Sequence, residues 1–179
     1  MRPALLLLIL NIVSCSTSTQ KADSGENNEQ KSDFETFVSL FDTRLTKIPG
    51  NYINQFLQID TTIFDAKDIW TYEAIQFSDE IIGLIYKANC TAGGFCEKLT
   101  LITFDKSGRR ITEFEVGHHY ADYGFSNELT YSIDQDQIKL RLYKTETFET
   151  EDGSYLEGVM ADTTFVYRVD TATGQINNN

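Results

Sequence analysis

The chain has 179 residues, with 27 acidic against 15 basic side chains and a formal net charge of −12. That balance excludes a nucleic-acid-binding surface and electrostatic docking on anionic lipid, because both need basic patches. Hydrophobic residues make up 41% of the chain, enough for one domain with a packed core.

At the N-terminus a single positive charge, Arg2, precedes an apolar run from Ala4 to Ile12 that is broken only by Asn11. The run is shorter than the about 20 residues a bilayer span needs and fits the about 7–15 residues of a signal-peptide core. The segment Ile12-Val13-Ser14-Cys15 resembles the lipobox of bacterial lipoprotein signal peptides: aliphatic, small or aliphatic, small, cysteine. That resemblance implies cleavage after Ser14, so that residues 1–14 are a signal peptide. It also implies a diacylglycerol on the Cys15 sulfur and an acyl chain on the new amino group, and two or three chains anchor stably. The membrane is then contacted through lipid on Cys15. Ser16 stands where lipoproteins retained in the inner membrane often have Asp, which favours the outer membrane. The first acid behind the cysteine is Asp23, which favours the periplasmic face over the cell surface.

Residues 15–33 read as the lipidated cysteine and a disordered tether, because residues 16–33 hold one apolar side chain, Ala22. Flexible-chain scaling gives such a tether a reach on the order of 25 Å. Residues 34–177 form a single β-rich domain.

Ser32 and Glu35 make a capping box, and Phe34, Phe37, Val38, Phe41, Leu45 and Ile48 follow at helical spacing. The expectation is one amphipathic helix ending at Pro49-Gly50, packed on one face of a sheet. Tyr52, Ile53, Phe56 and Leu57 suit a short second helix, and residues 51–66 are otherwise ambiguous.

From Asp68 the hydrophobic period becomes two. Strand-like runs cover 69–77, 81–90, 97–104, 109–116, 127–134, 138–142 and 163–169, with a last short segment after Gly174. Short turns join most of them and no helix is long enough for parallel crossovers. The fold class is therefore mainly β, α+β at its N-terminus: an antiparallel meander of about seven strands with one helix packed on it. One face of the sheet is expected to meet the helix or curl on itself, and the other to be polar.

Cys90 and Cys96 flank a Gly-Gly loop between two strand-like runs, a geometry that suits a disulfide in an oxidising compartment. Closing so short a loop contributes about 2 kcal/mol. Neither a Cys-x-x-Cys redox pair nor further metal ligands accompany them.

Three constellations carry candidate chemistry. His118-His119-Tyr120-Ala121-Asp122 holds both histidines, but neighbouring side chains on an extended chain point to opposite faces, which works against a shared metal ion. Glu146, Glu149, Glu151, Asp152 and Glu157 read as a solvated edge, and Asp134-Gln135-Asp136 as a turn that lacks the glycine and terminal Glu of a calcium loop. Among the aromatic residues, Tyr120, Tyr123 and Phe125 fall between strands and are the best exposed contacts. The candidate binding loop is therefore His118, His119, Tyr120, Asp122, Tyr123 and Phe125. No nucleophile elbow, phosphate loop or His-Glu-x-x-His helix occurs, so no catalytic residue, metal ligand or cofactor is assigned.

The Phe-rich helix ending near a Pro, the hairpin Leu101-Ile102-Thr103-Phe104-Asp105-Lys106-Ser107-Gly108-Arg109 and the closing Tyr167-Arg168-Val169-Asp170 with Gly174-Gln175-Ile176 resemble small envelope lipoproteins of the Bacteroidetes type, whose function is unknown. The resemblance implies a fold class and a place in the cell envelope and carries no catalytic residue. The functional expectation is a lipid-anchored, non-enzymatic envelope module that binds a protein partner or an envelope glycan. The alternative is a small metal-dependent hydrolase using His118 and His119.

Overall fold

A computed structural model describes residues 33–59, 69–89 and 95–178. The expected signal peptide, Cys15, most of the expected tether, Ser32 of the expected capping box and Cys90 lie outside these residues. The described chain is mostly antiparallel sheet with short helices before it, as the sequence implies. Helix α1 covers residues 33–39 and tightens into a 3₁₀ turn at Leu40–Asp42. A single turn, α2 (Gly50–Tyr52), passes into a π-type turn at Ile53–Leu57. The strands are β1 (Ile69–Gln76), β2 (Ile81–Asn89), β3 (Phe95–Asp105), β4 (Arg110–Asp122), β5 (Phe125–Asp134), β6 (Gln137–Glu149), β7 (Tyr155–Val169) and β8 (Ile176–Asn178). Among the described residues they form one sheet in sequence order, a meander of eight strands where about seven are expected.

The first helix is much shorter than its hydrophobic spacing predicts. Leu45, expected on the buried stripe, adopts a left-handed φ of 60° and is exposed. The reason lies at the edge of β1. Leu45 N donates to Thr71 O at 2.8 Å, Thr71 N to Thr46 O at 2.8 Å, and Ile48 N to Ile69 O at 3.0 Å. The Thr71 hydroxyl donates to Thr43 O and accepts from Thr46 N. Residues 43–48 thus leave the helix and run as a strap along an edge whose backbone groups need partners.

Two cores hold the sheet. On one face Phe34, Phe37, Phe41, Ile53, Phe56 and Leu57 cover Leu84, Tyr86, Ile102 and Phe104. The rings of Phe37 and Phe56 stack at 4.8 Å, and Phe34 lies 5.3 Å from Phe104. On the other face Ile85 and Leu101 meet Val116, Ile138, Leu140 and Val169. Strand β2 is therefore buried on both faces, which corrects the expectation of a polar second face for these strands.

The sheet achieves this by folding over itself. β4 and β5 pair only from His118↔Leu129 to Asp122↔Phe125. Beyond His118 they part, and the later strands swing across the earlier ones. Phe114 and Tyr167, from β4 and β7, then meet at 4.7 Å between ring centres. Among the described residues no helix is long and apolar enough to cross a membrane.

Candidate functional site

The segment read as a binding loop is a two-residue hairpin. His118, His119, Tyr120 and Asp122 lie in β4, Phe125 opens β5, and only Tyr123 and Gly124 turn the chain. Both turn residues have positive φ, 39° and 84°, which matches the right-handed twist of a two-residue hairpin. Gly124 O accepts a hydrogen bond from Thr147 N at 2.6 Å, tying the turn to β6. Tyr123 is fully exposed at its tip. Tyr120 and Phe125 pack with ring centres 6.4 Å apart, and the Tyr120 hydroxyl donates to Asp122 Oδ2 at 3.3 Å.

The two histidines enter different surroundings. His118 Nδ1 lies 2.6 Å from Glu115 Oε1, whose other oxygen is 2.8 Å from Lys98 Nζ. Burial pushes the Glu115 carboxyl up, but its hydrogen bonds to Lys98 and His118 outweigh that and hold it below the usual carboxylate range. The Nε2 atom of His118 is buried with no hydrogen-bond partner. His119 stands in register with Glu97 on β3 and with Glu128 on β5, giving a Glu–His–Glu row across three strands. Lys87 pairs with Glu97 at one end of this row. Among the described residues no three His, Cys, Asp or Glu side chains group closely enough to hold a metal ion.

That row borders a hollow of about 340 Å³, lined also by Leu99, Leu129, Tyr72 and Tyr131. A second hollow of about 530 Å³ lies beside it, lined by Arg44, Glu73, Ser132, Ile133 and the same two tyrosines. Tyr72 and Tyr131 therefore stand between two hollows of one groove. The groove follows the seam where β1 and β5 approach without a backbone ladder. Their rings meet edge to face at 6.5 Å. The Arg44 guanidinium sits 3.8 Å over the Tyr72 ring, and the Tyr131 hydroxyl donates to Glu73 Oε2 at 2.6 Å. Burial, and then the hydrogen bond to Glu73, push the Tyr131 hydroxyl well above the usual tyrosine range.

The sequence singled out the histidines of this groove but not Arg44, Glu73, Glu97 or Glu128. Arg44 reads as the polar face of a helix that in fact has ended, and Glu128 as the solvent side of an alternating strand. Of the acids, Glu146 stands opposite Phe125 beside the β4–β5 hairpin, Glu149, Glu151, Asp152 and Glu157 lie further along the β6–β7 hairpin, and none of the five lines either hollow. Asp152 accepts from Thr150 and Ser154 within that turn, and these hydrogen bonds lower its carboxyl to about 2. Asp134 and Asp136 flank the β5–β6 turn, where Asp136 pairs with Arg168. No family model matches the chain, and no curated protein and no solved structure matches it.

Proposed function

We propose that this chain is a lipid-anchored, non-enzymatic envelope module that binds a glycan in the groove beside Tyr72 and Tyr131. The observation that carries the reading is the pairing of two tyrosine rings with charged groups on both sides of them in one open groove. A sugar offers an apolar C–H face and a rim of hydroxyls. The first suits an aromatic ring and the second suits carboxylates, an imidazole and a guanidinium, which supply acceptors and donors in fixed positions. The β4–β5 hairpin, whose His118, His119 and Glu128 line the smaller hollow, carries Tyr123 exposed at its tip.

Anchoring follows from the lipobox ending at Cys15, with the domain on a tether at the periplasmic face of the outer membrane. The Cys90–Cys96 disulfide belongs to the same oxidising setting. The β2–β3 ladder runs as far as Asn89↔Glu97, and continuing that register by one residue would set Cys90 opposite Cys96, which supports the bond.

The test is binding of polysaccharide purified from the producing cell's envelope, measured by calorimetry with the wild-type chain and Tyr72→Ala. Saturable binding lost in the variant supports the reading. No binding, or binding indifferent to Tyr72, removes it, and a protein recovered after envelope cross-linking then takes the ligand's place. A metal-dependent hydrolase is the competing reading, and the unpartnered Nε2 atom of His118 is the observation in its favour. It requires stoichiometric metal after dialysis that His118→Ala abolishes.

A further inference from the structure

Strand β7 has an open edge. From Tyr155 to Arg168 it pairs with β6 on one side, while on the other side β8 takes up only Tyr167, Arg168 and Val169. Among the described residues no strand or strap lies against positions 155–166 on that side. The contrast with β1 is direct, because its outer edge is covered by residues 43–48. The backbone donors and acceptors of residues 155–166 that point away from β6 are therefore available for strand addition. The side chains along this edge are apolar and exposed: Leu156 at 53%, Val159 at 59%, Met160 at 63% and Phe165 at 40%.

We propose that a second copy of this chain pairs with that edge, β7 against β7 in antiparallel sense about a twofold axis. Charge makes the edge its own complement. Residues 145–160 of the β6–β7 hairpin hold five acids and no base, whereas its other end, residues 137–144 and 161–168, holds four bases (Lys139, Arg141, Lys144 and Arg168) against one acid, Asp162, which pairs with Arg141. Antiparallel self-pairing lays the acidic end of each hairpin beside the basic end of the other.

The register that uses the whole edge sets Tyr155 opposite Val166, Leu156 opposite Phe165, Glu157 opposite Thr164 and Met160 opposite Ala161. Apolar side chains meet at the Tyr155–Val166, Leu156–Phe165 and Met160–Ala161 positions, Val159 meets Asp162, and no two like charges are directly opposed. Met160 is the extra residue of the bulge in β7, since Lys144 and Thr145 pair with Ala161 and Val159. In this register the bulge falls at the axis, so each half of the interface keeps a regular run.

The test is sedimentation equilibrium of the mature polypeptide carrying Cys15→Ser, so that no acyl chain drives association. The expected result is a dimer weakened about tenfold or more by Thr164→Glu, because the new carboxylate at position 164 faces Glu157 of the other copy, and the twofold axis repeats that repulsion. Adding Glu157→Lys to that variant is expected to restore the dimer. Hydrogen exchange of the wild type provides a second readout, with amides of residues 155–166 becoming protected as concentration rises. A monomer at the highest attainable concentration overturns the proposal. So does a dimer indifferent to Thr164→Glu, or one whose β7 amides stay unprotected. Protection that arises only when envelope extract is added assigns the edge to a different chain and also overturns it.

Discussion

The Tyr131 hydroxyl donates a 2.6 Å hydrogen bond to Glu73, joining β5 to β1 across a seam that no backbone ladder crosses. The two residues are 58 positions apart, and they meet only because the sheet folds over where β4 and β5 part. The bond fixes the Tyr131 ring between the two hollows of the groove. Tyr131→Phe keeps the ring and removes the tie. The expected cost in stability is about 1 kcal/mol or less, because Glu73 is exposed and rehydrates readily. Glycan affinity should fall more than stability does, since the groove wall is no longer held in place. Thermal unfolding and calorimetry on one preparation separate the two effects, and equal losses would mean that the bond acts on the fold alone.

Tyr86 gives the fold an alkaline limit. Its hydroxyl is buried under the helical layer and lies 3.5 Å from Glu113, and burial first, then that carboxylate, push it up to about 12 from 10.0. A raised value in the folded state means the neutral form is favoured there. Its contribution to stability is fully present below about pH 10 and is lost as pH rises from about 10 toward about 12. Tyr86→Phe should remove that part of the alkaline loss while leaving stability near about pH 7 little changed. Denaturant midpoints from about pH 8 to about pH 11 check this, and identical slopes for the two proteins would show that Tyr86 does not set the limit.

How much of this was readable in the sequence depends on the range of the interaction. The β3–β4 turn was legible because Asp105, Ser107 and Gly108 carry its geometry locally. Asp105 Oδ1 accepts from Ser107 N and Arg109 N, and Gly108 supplies a φ of 86°. The meander followed from two-residue alternation and short turns. The length of α1 was not legible, because Leu45 and Ile48 continue the helical spacing while the unpaired edge of β1 draws residues 43–48 into extended chain. The first half of β7 was missed because residues 155–162 hold Gly158 and the bulge at Met160 and so break the alternation. The groove was half legible: the histidines stood out by type, but Glu97, His119 and Glu128 become neighbours only through register. Nothing in the spacing of Arg44 and Tyr72 announces that one lies on the other.

Gly108 also tests how tightly the helical layer is seated. A Cβ at this position would lie 2.7 Å from Phe34 Cγ and would have to hold a positive φ. Phe34 cannot retreat, because it is packed against Phe37, Phe56 and Phe104. Gly108→Ala should therefore cost roughly 2–4 kcal/mol, combining left-handed strain with overpacking. Denaturant unfolding measures it. A loss below about 1 kcal/mol would mean that the helical layer shifts freely over the sheet.

The end of β2–β3 nearest the groove is where a disulfide would act. Glu97 stands in the ladder opposite Asn89 and beside Cys96, and it is also a wall of the smaller hollow. A bond from Cys90 to Cys96 would clamp the strand ends that position Glu97 and its ion pair with Lys87. The native chain should then show no alkylatable thiol at either position until it is reduced. Reduction should cost about 2 kcal/mol, the value for closing a short loop. Because the clamp is next to a groove residue, reduction should also weaken ligand binding. Cys90→Ser/Cys96→Ser should reproduce both losses and be insensitive to reductant. Free thiols in protein taken directly from the envelope would disprove the bond, and undiminished binding after reduction would detach it from the groove.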